Sequence, residues 1–340
     1  MGVWTRFTVT GADRPCGQAV RHHHYTGGVR ALFISNPQAT TTTSRSRDVI
    51  VRALASDVSL EVVQTEYRNH AKELAGEAVE KGYDLVISLG GDGTVNEVVN
   101  GILSAPADLP RPAYAALPGG SANVFIRSLG LPTDPIEATG AVLEALRSGS
   151  RREVGLGQID DPEDGRYFTF CAGFGWDADV VHEVERQRRR GLRASPVLYV
   201  GIAFQMFVRG RALRDPSLTV ETPGRRPVSD LSFALVTNTS PWTYAGSVAL
   251  RPTPRSRLEL GLDAFAMTQV NPVLAGKILR KMLSPKGVDP RGRGYLTWHD
   301  KQKFTIRSQR PRAFQIDGEY LGHREQVNFR SIPKALRIVG

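Results

Sequence analysis

The 340-residue chain is 41% hydrophobic and 23% charged, an ordinary globular composition that excludes wholesale disorder. It is longer than the about 250–300 residues at which single cores stop growing, so two domains are expected. Its 44 Lys+Arg against 34 Asp+Glu leave a net charge of +10, which favours anionic partners such as phosphates, acidic lipids or nucleic acid. Cys16 and Cys171 lie far apart, which argues against a disulfide framework or a cysteine zinc site and fits a reducing cytosol.

In chain order, residues 1–27 mix basic, Gly and His residues without the apolar core of a signal peptide, and they read as a flexible N-terminal extension. The run His22-His23-His24 reads there as a solvated low-complexity tract. From Val29 the pattern is regular: strand VRALFIS, polar ATTTTSRSR, helix DVIVRALAS, strand SLEVVQT, helix HAKELAGEAVEKG and strand DLVISL. Strands alternating with helices predict an α/β, doubly wound domain over residues 28–153.

The stretch GGDGTVNE follows DLVISL. A glycine loop between a buried strand and a helix presents bare N–H groups to anions, whereas Asp92 within it repels them, so a divalent metal or a substrate hydroxyl must reconcile the two. The helix VNEVVNGIL puts Val95, Val98, Val99, Ile102 and Leu103 on one face. Thr94 and Glu97 have the T-x-x-E spacing of a capping box. AYAALPGGSANVFIRSLGLP repeats the strand, glycine turn and helix, and both turns are expected at the carboxyl edge of the sheet, where ligands bind. The P-loop pattern G-x-x-x-x-G-K-[ST] does not occur.

From Val154 the chain shifts to short alternating runs such as RYFTFCA, SDLSFALVTN, KFTIRS and AFQIDG. They predict a second, mainly antiparallel, β-sandwich-like domain over 154–340, whose C-terminal segment is free to return to the first domain. Residues 194–208, ASPVLYVGIAFQMFV, follow Arg186, Arg188, Arg189, Arg190 and Arg193 and fall short of the about 20 residues a membrane span needs. Two readings stay open: a core helix capped by Ser195 with Pro196 at its first position, or a peripheral contact with anionic membrane. Gly173-Phe174-Gly175-Trp176-Asp177-Ala178 matches G-x-G-x-x-A outside any βαβ pattern and reads as a tight turn.

Together, GGDGTVNEVVNG, LPGGSANVFIRSLGLP and the late FQIDGE resemble the diacylglycerol kinase catalytic family of bacterial lipid kinases, especially its actinobacterial members, from about Val29 to the C-terminus. The resemblance implies an α/β nucleotide domain, a β-rich lipid domain, and use of ATP and Mg²⁺ to phosphorylate a lipid hydroxyl, diacylglycerol first among candidates. It implies nucleotide contacts at Asn36, Thr65, Gly90, Gly91, Asp92, Gly93, Thr94, Val95, Asn96, Gly120, Ser121 and Asn123. Glu319 takes the place of the proton acceptor, with Asp92 as its catalytic companion. A cytoplasmic enzyme on the inner face of the membrane follows, with homo-oligomerisation left open.

The sequence departs from the family at three places. NPQATTTT replaces a glycine-bearing phosphate loop, and Val124 stands where an acid usually follows Asn123. LELGLD replaces the metal segment D-D-G-x-L-D. That leaves Glu259 to align with the metal ligand, helped by carbonyls near Ser256 and Gly261, or to be an outward residue on a strand. Rival readings are a kinase for a sphingoid base, ceramide or monoacylglycerol, and an NAD kinase, which shares GGDGT but has a G-H-L-G-F-type segment not found here. A nucleic-acid-binding protein has only the net charge in its favour, with no reading motif, so no nucleic acid partner is expected.

Overall fold

The computed structural model describes residues 28–39, 42–160, 165–190, 198, 201–203, 205–206, 216–268, 272–284 and 294–340. The N-terminal extension, Ser195, Pro196 and most of 194–208 lie outside the described residues. The chain divides into two compact units. Unit 1 comprises the chain to Gly120, Gly130–Arg152 and Arg337–Gly340; unit 2 comprises Ser121–Leu129 and Glu153–Leu336.

Unit 1 is built on β1 (Arg30–Ser35), β2 (Ser59–Gln64), β3 (Leu85–Gly90) and β4 (Ala113–Pro118), parallel in the order β4-β3-β1-β2. Ile338, near the end of the last strand, pairs parallel with Tyr114 of β4. The central strands β3 and β4 are buried throughout, as expected for a sheet covered on both faces. Phe33, Ile87, Leu89, Ala115 and Leu117 pack against Ile50 and Leu54 of α1 (Ser44–Ala55) and Val142 and Leu143 of α5 (Pro135–Ser148). Leu32 and Val63 face Leu74 and Ala78 of α2 (His70–Glu80).

The helix starts follow from local chemistry. Thr43 caps α1 by accepting the Ser46 N–H at 3.1 Å. Asp134 caps α5 through the N–H groups of Ile136 and Glu137, with Pro135 at the first position and Gly149 in the left-handed conformation after the end. Gly101 lets α2 approach α3 (Asp92–Ser104), since a Cβ there would lie 2.2 Å from the Lys72 carbonyl oxygen.

Unit 2 is dominated by antiparallel pairing in the order β14-β13-β10-β7-β15-β16. These strands are β14 (Tyr295–Lys301), β13 (Leu262–Met267), β10 (Phe233–Thr237), β7 (Cys171–Gly175), β15 (Lys303–Ile316) and β16 (Glu319–Ile338). Alternate residues, Ala172 and Phe174, Ala234 and Val236, Phe314 and Ile316, turn into one core with Phe304 and Phe329. The unit also carries α6 (Trp176–Arg189) and α7 (Pro272–Met282), in a region the sequence reading took to be poor in helix.

Glycine positions separate packing from propensity. Gly101→Ala should lower stability by about 1–3 kcal/mol, because backbone must move to admit a methyl group. Gly140→Ala, in α5 with open space around it, should raise stability by about 0.5–1 kcal/mol. Thermal melting of the two variants checks both signs.

Candidate functional site

Two glycine turns meet in unit 1. The Gly119 N–H donates to the Gly90 carbonyl at 2.8 Å. A Cβ on Gly119 would lie 3.0 Å from the Gly90 Cα, and one on Gly91 would lie 3.2 Å from the Gly120 Cα. Backbone therefore packs on backbone, and side chains are excluded from the contact. Gly93, by contrast, has open space where its Cβ would be.

Helix α3 begins at Asp92 with Gly91 in the capping position, and no side chain caps it. Helix starts of this kind present N–H groups to which anions bind. The expected capping box does not form. The glycine turn starts the helix three residues early, with Gly91 rather than Thr94 as cap, so Thr94 lies inside the first turn over Gly90, where a Cβ would come within 2.5 Å of the threonine side chain. The Thr94 hydroxyl instead accepts from Asn36 Nδ2 at 3.2 Å, and Glu97 accepts from the Ala71 N–H at the start of α2.

Asn36 holds the end of β1 in place. Its N–H donates to the Leu89 carbonyl, its side-chain oxygen accepts from the Gln38 N–H at 2.9 Å, and its amide reaches Thr94. Thr65, just past β2, donates its N–H to the Ser35 carbonyl. Val95 is fully buried, and its N–H is spent on the Gly91 carbonyl at 3.1 Å. Asn96 is buried and accepts from Asn100 Nδ2. Asp92 is half-buried at the turn, and its charge adds to the burial that pushes the Tyr114 hydroxyl pKa up. The structure thus gathers Asn36, Gly90, Gly91, Asp92, Gly93, Thr94 and Gly120 around one turn, while the Val95 and Asn96 side chains serve the helix.

Ser121 and Asn123 belong to unit 2. Ser121 is exposed, and Asn123 is buried in the left-handed conformation that starts α4 (Val124–Ser128). Val124 is buried with Phe170, Phe233 and Phe265, so the position that departs from the family serves a hydrophobic core.

Glu319 follows the two-residue turn Asp317-Gly318 between β15 and β16, in which both residues have positive φ, 48° and 79°. Asp317 points inward. Its carboxylate accepts from the N–H groups of Thr169, Phe170 and Cys171 and from the Thr169 hydroxyl, at 2.7–3.0 Å. Burial pushes its pKa up against those donors. The Glu319 carboxylate forms an ion pair with Arg166. Gln315 ties the turn to α6, accepting from the Gly318 N–H at 2.9 Å and donating to Asp177 Oδ2 at 2.7 Å. The Asp177 carboxylate fills the space beside Gly173, where a Cβ would lie 1.9 Å away. The G-x-G stretch is accordingly a filled strand-to-helix junction with no room for a phosphate. Arg166, Gln315 and Asp177 escaped the sequence reading; their partners lie 138 to 153 residues away, beyond any local pattern.

Asp92, half-buried at the turn, is the carboxylate there that would hold a Mg²⁺ ion. The LELGLD segment fits a metal poorly. Glu259 is exposed in a turn before β13, and the Arg257 guanidinium donates to the Pro254 and Ser256 carbonyls at 3.1 and 2.8 Å. Among the described residues no group of three or more His, Cys, Asp or Glu could hold an ion.

A glycine-lined helix start at the carboxyl edge of a parallel sheet is a place where phosphate groups commonly bind. Residues 30–159 match the diacylglycerol kinase catalytic domain. The diacylglycerol kinase of Bacillus subtilis (strain 168) is 27% identical over 303 residues, covering 86% of this chain and 90% of that protein. A Chromohalobacter salexigens protein named "Probable lipid kinase YegS-like" is 38% identical over 129 residues, covering 38% of this chain and 39% of its own length. A crystal structure described as a diacylglycerol kinase from Bacillus anthracis superposes with a TM-score of 0.68 at 19% identity, covering 92% and 97% of the two chains, and shares the fold. Residues 30–159 are a diacylglycerol kinase catalytic domain by this match, and the enzyme is a lipid kinase.

Asp177 gives a pH test. Burial raises its pKa from 3.8 to about 6, so folding favours the protonated form. The stability cost of ionising it is absent below about pH 4, grows through pH 4–6 and is constant above. Asp177→Asn keeps an acceptor for Gln315 without that cost. Its stability relative to the parent should therefore rise by about 3 kcal/mol between pH 4 and pH 7, roughly two pKa units at 1.36 kcal/mol each. Denaturant unfolding at the two pH values measures this, and a difference independent of pH contradicts it.

Proposed function

We propose that the chain transfers the γ-phosphate of ATP, with Mg²⁺, to the free hydroxyl of diacylglycerol, giving phosphatidic acid. The observation that carries this reading is the backbone-to-backbone contact of Gly90 and Gly91 with Gly119 and Gly120 beside the uncapped start of α3. Such a turn brings N–H donors close to phosphate oxygens that any side chain would hold away. Phosphoryl transfer asks a protein mainly for positioning and charge stabilisation, and this turn supplies both. Asp92 would hold Mg²⁺, whose charge would offset that of the phosphates.

Glu319 takes the hydroxyl proton, and Arg166 holds its carboxylate in one orientation. Asp317, anchored inward by its four donors, fixes the turn from which Glu319 projects. The relatives support a lipid acceptor. Diacylglycerol is the acceptor named for the Bacillus subtilis relative, whereas the Chromohalobacter salexigens protein is named only for a lipid. We place the enzyme in the cytoplasm, bound peripherally to the inner face of the membrane. Among the described residues no helix is long and apolar enough to cross a membrane.

Two substitutions test the roles. Glu319→Gln keeps size and hydrogen bonding but cannot accept a proton, so turnover on diacylglycerol should fall at least ~100-fold with ATP binding unchanged. Asp92→Asn should lower turnover at least ~10-fold while moving the melting midpoint by less than about 2 °C, because the amide is nearly the size of the carboxylate and the glycine contact sets the turn. Calorimetric nucleotide binding, thermal melting and transfer of labelled phosphate to a panel of lipids are the readouts. Near-parental turnover of Glu319→Gln would withdraw its assignment as base.

A further inference from the structure

Helix α7 is held on its inner side and bare on its outer side. Ile278 and Met282 are buried with Phe233, Phe265 and Tyr295, and Lys281 Nζ donates to the Tyr295 hydroxyl at 2.7 Å. A Cβ on Gly294 would lie 2.6 Å from Leu274, so the start of the helix also lies close on the sheet. Opposite this seam, Leu279, Leu283, Gly276, Arg280, Val273 and Lys277 follow one another around a continuous arc of about 160° at 3.6 residues per turn. Val273 is 68% exposed, Leu279 48% and Leu283 39%, three aliphatic side chains within eleven residues.

Exposed aliphatic residues on a helix are ordinarily isolated, but here they alternate with the exposed cations Lys277 and Arg280. Residues 272–284, PVLAGKILRKMLS, contain no acid. A protein partner's apolar surface would gain nothing from cations set among the leucines. An anionic bilayer surface satisfies both groups at once, with aliphatic side chains entering the acyl boundary and cations meeting phosphate headgroups.

We propose that the outer face of α7, Val273, Leu279 and Leu283 with Lys277 and Arg280, is the surface by which this chain docks on an anionic phospholipid bilayer. The assignment rests on the proposed reading that the acceptor is a membrane lipid. It places the contact on α7, whereas the membrane alternative for 186–208, one of two readings left open by the sequence, places it there. In that earlier segment Arg186 is engaged with Glu183 at 2.8 Å and most of 194–208 lies outside the described residues. The helix rides on the cluster that also contains Val124, directly after the Ser121–Asn123 turn. A docked α7 therefore bears on the same packed core that supports this turn.

The test uses the full chain and two double variants at exposed positions, Lys277→Glu/Arg280→Glu and Val273→Ser/Leu279→Ser. Sedimentation with phosphatidylglycerol vesicles at low ionic strength should weaken at least ~10-fold for each pair. Binding of the parent to phosphatidylcholine vesicles should be weak, and raising the salt should weaken the parent on phosphatidylglycerol. Melting midpoints and turnover on a short-chain diacylglycerol dispersed without vesicles should match the parent. Unchanged sedimentation of both variants overturns the assignment. So does a parent dimer that the variants dissolve while vesicle binding persists, since the face would then join two copies of the chain. If the parent phosphorylates no lipid, the proposed reaction fails while the vesicle comparison still decides the docking face; if it phosphorylates short-chain diacylglycerol and both variants bind vesicles as the parent does, only the docking face is lost.

Discussion

The constraint on which the site depends is that two turns must touch through bare backbone. Gly90 and Gly119 meet at a 2.8 Å N–H to carbonyl bond, with Cα atoms where side chains would otherwise be. Close packing tolerates no methyl group at such a contact, which is why glycine recurs at 90, 91 and 119 although its conformational freedom costs stability. From that contact follow the early start of α3, with a glycine in the capping position, and the diversion of Thr94 to Asn36. One geometric requirement thus links the ends of β1, β3 and β4 to a single anion-attracting turn.

Unit 2 solves a different problem, presenting a carboxylate from the end of a strand in a fixed direction. It does so by sacrificing a second one. Asp317 is buried, at a cost its four donors offset only in part, and the turn it anchors leaves Glu319 partly exposed beside Arg166. Gln315 and Asp177 brace the same turn from β15 and α6. A buried polar network of this kind specifies one conformation more than it adds stability, because leaving any member unpaired is expensive. That rigidity suits the general-base role proposed for Glu319.

Much of this was legible in the sequence, for reasons tied to particular residues. Strands β1, β3 and β4 announce themselves as short apolar runs, and glycine turns directly after buried strands mark the phosphate-facing edge. Gly318 permits a sharp turn after Asp317, and across it Asp317 turns inward while Glu319 meets Arg166. Thr94 was misread because T-x-x-E spacing describes a helix that begins at the threonine, whereas here two glycines had already begun it. Arg166, Asp177 and Gln315 are set by strand register across more than a hundred residues, a level at which spacing carries no information. Glu259 was aligned by analogy; the Arg257 guanidinium on the neighbouring carbonyls shows that the segment has different local chemistry.

The central claim is that the first N–H groups of α3, beside the glycine contact, bind the nucleotide phosphates. Amide hydrogen exchange with and without ATP and Mg²⁺ tests it most directly. The account predicts that nucleotide slows exchange of the Asp92, Gly93 and Thr94 amides well beyond those of the rest of α3. Saturating nucleotide that leaves these three amides unchanged while protecting another part of the chain would contradict it.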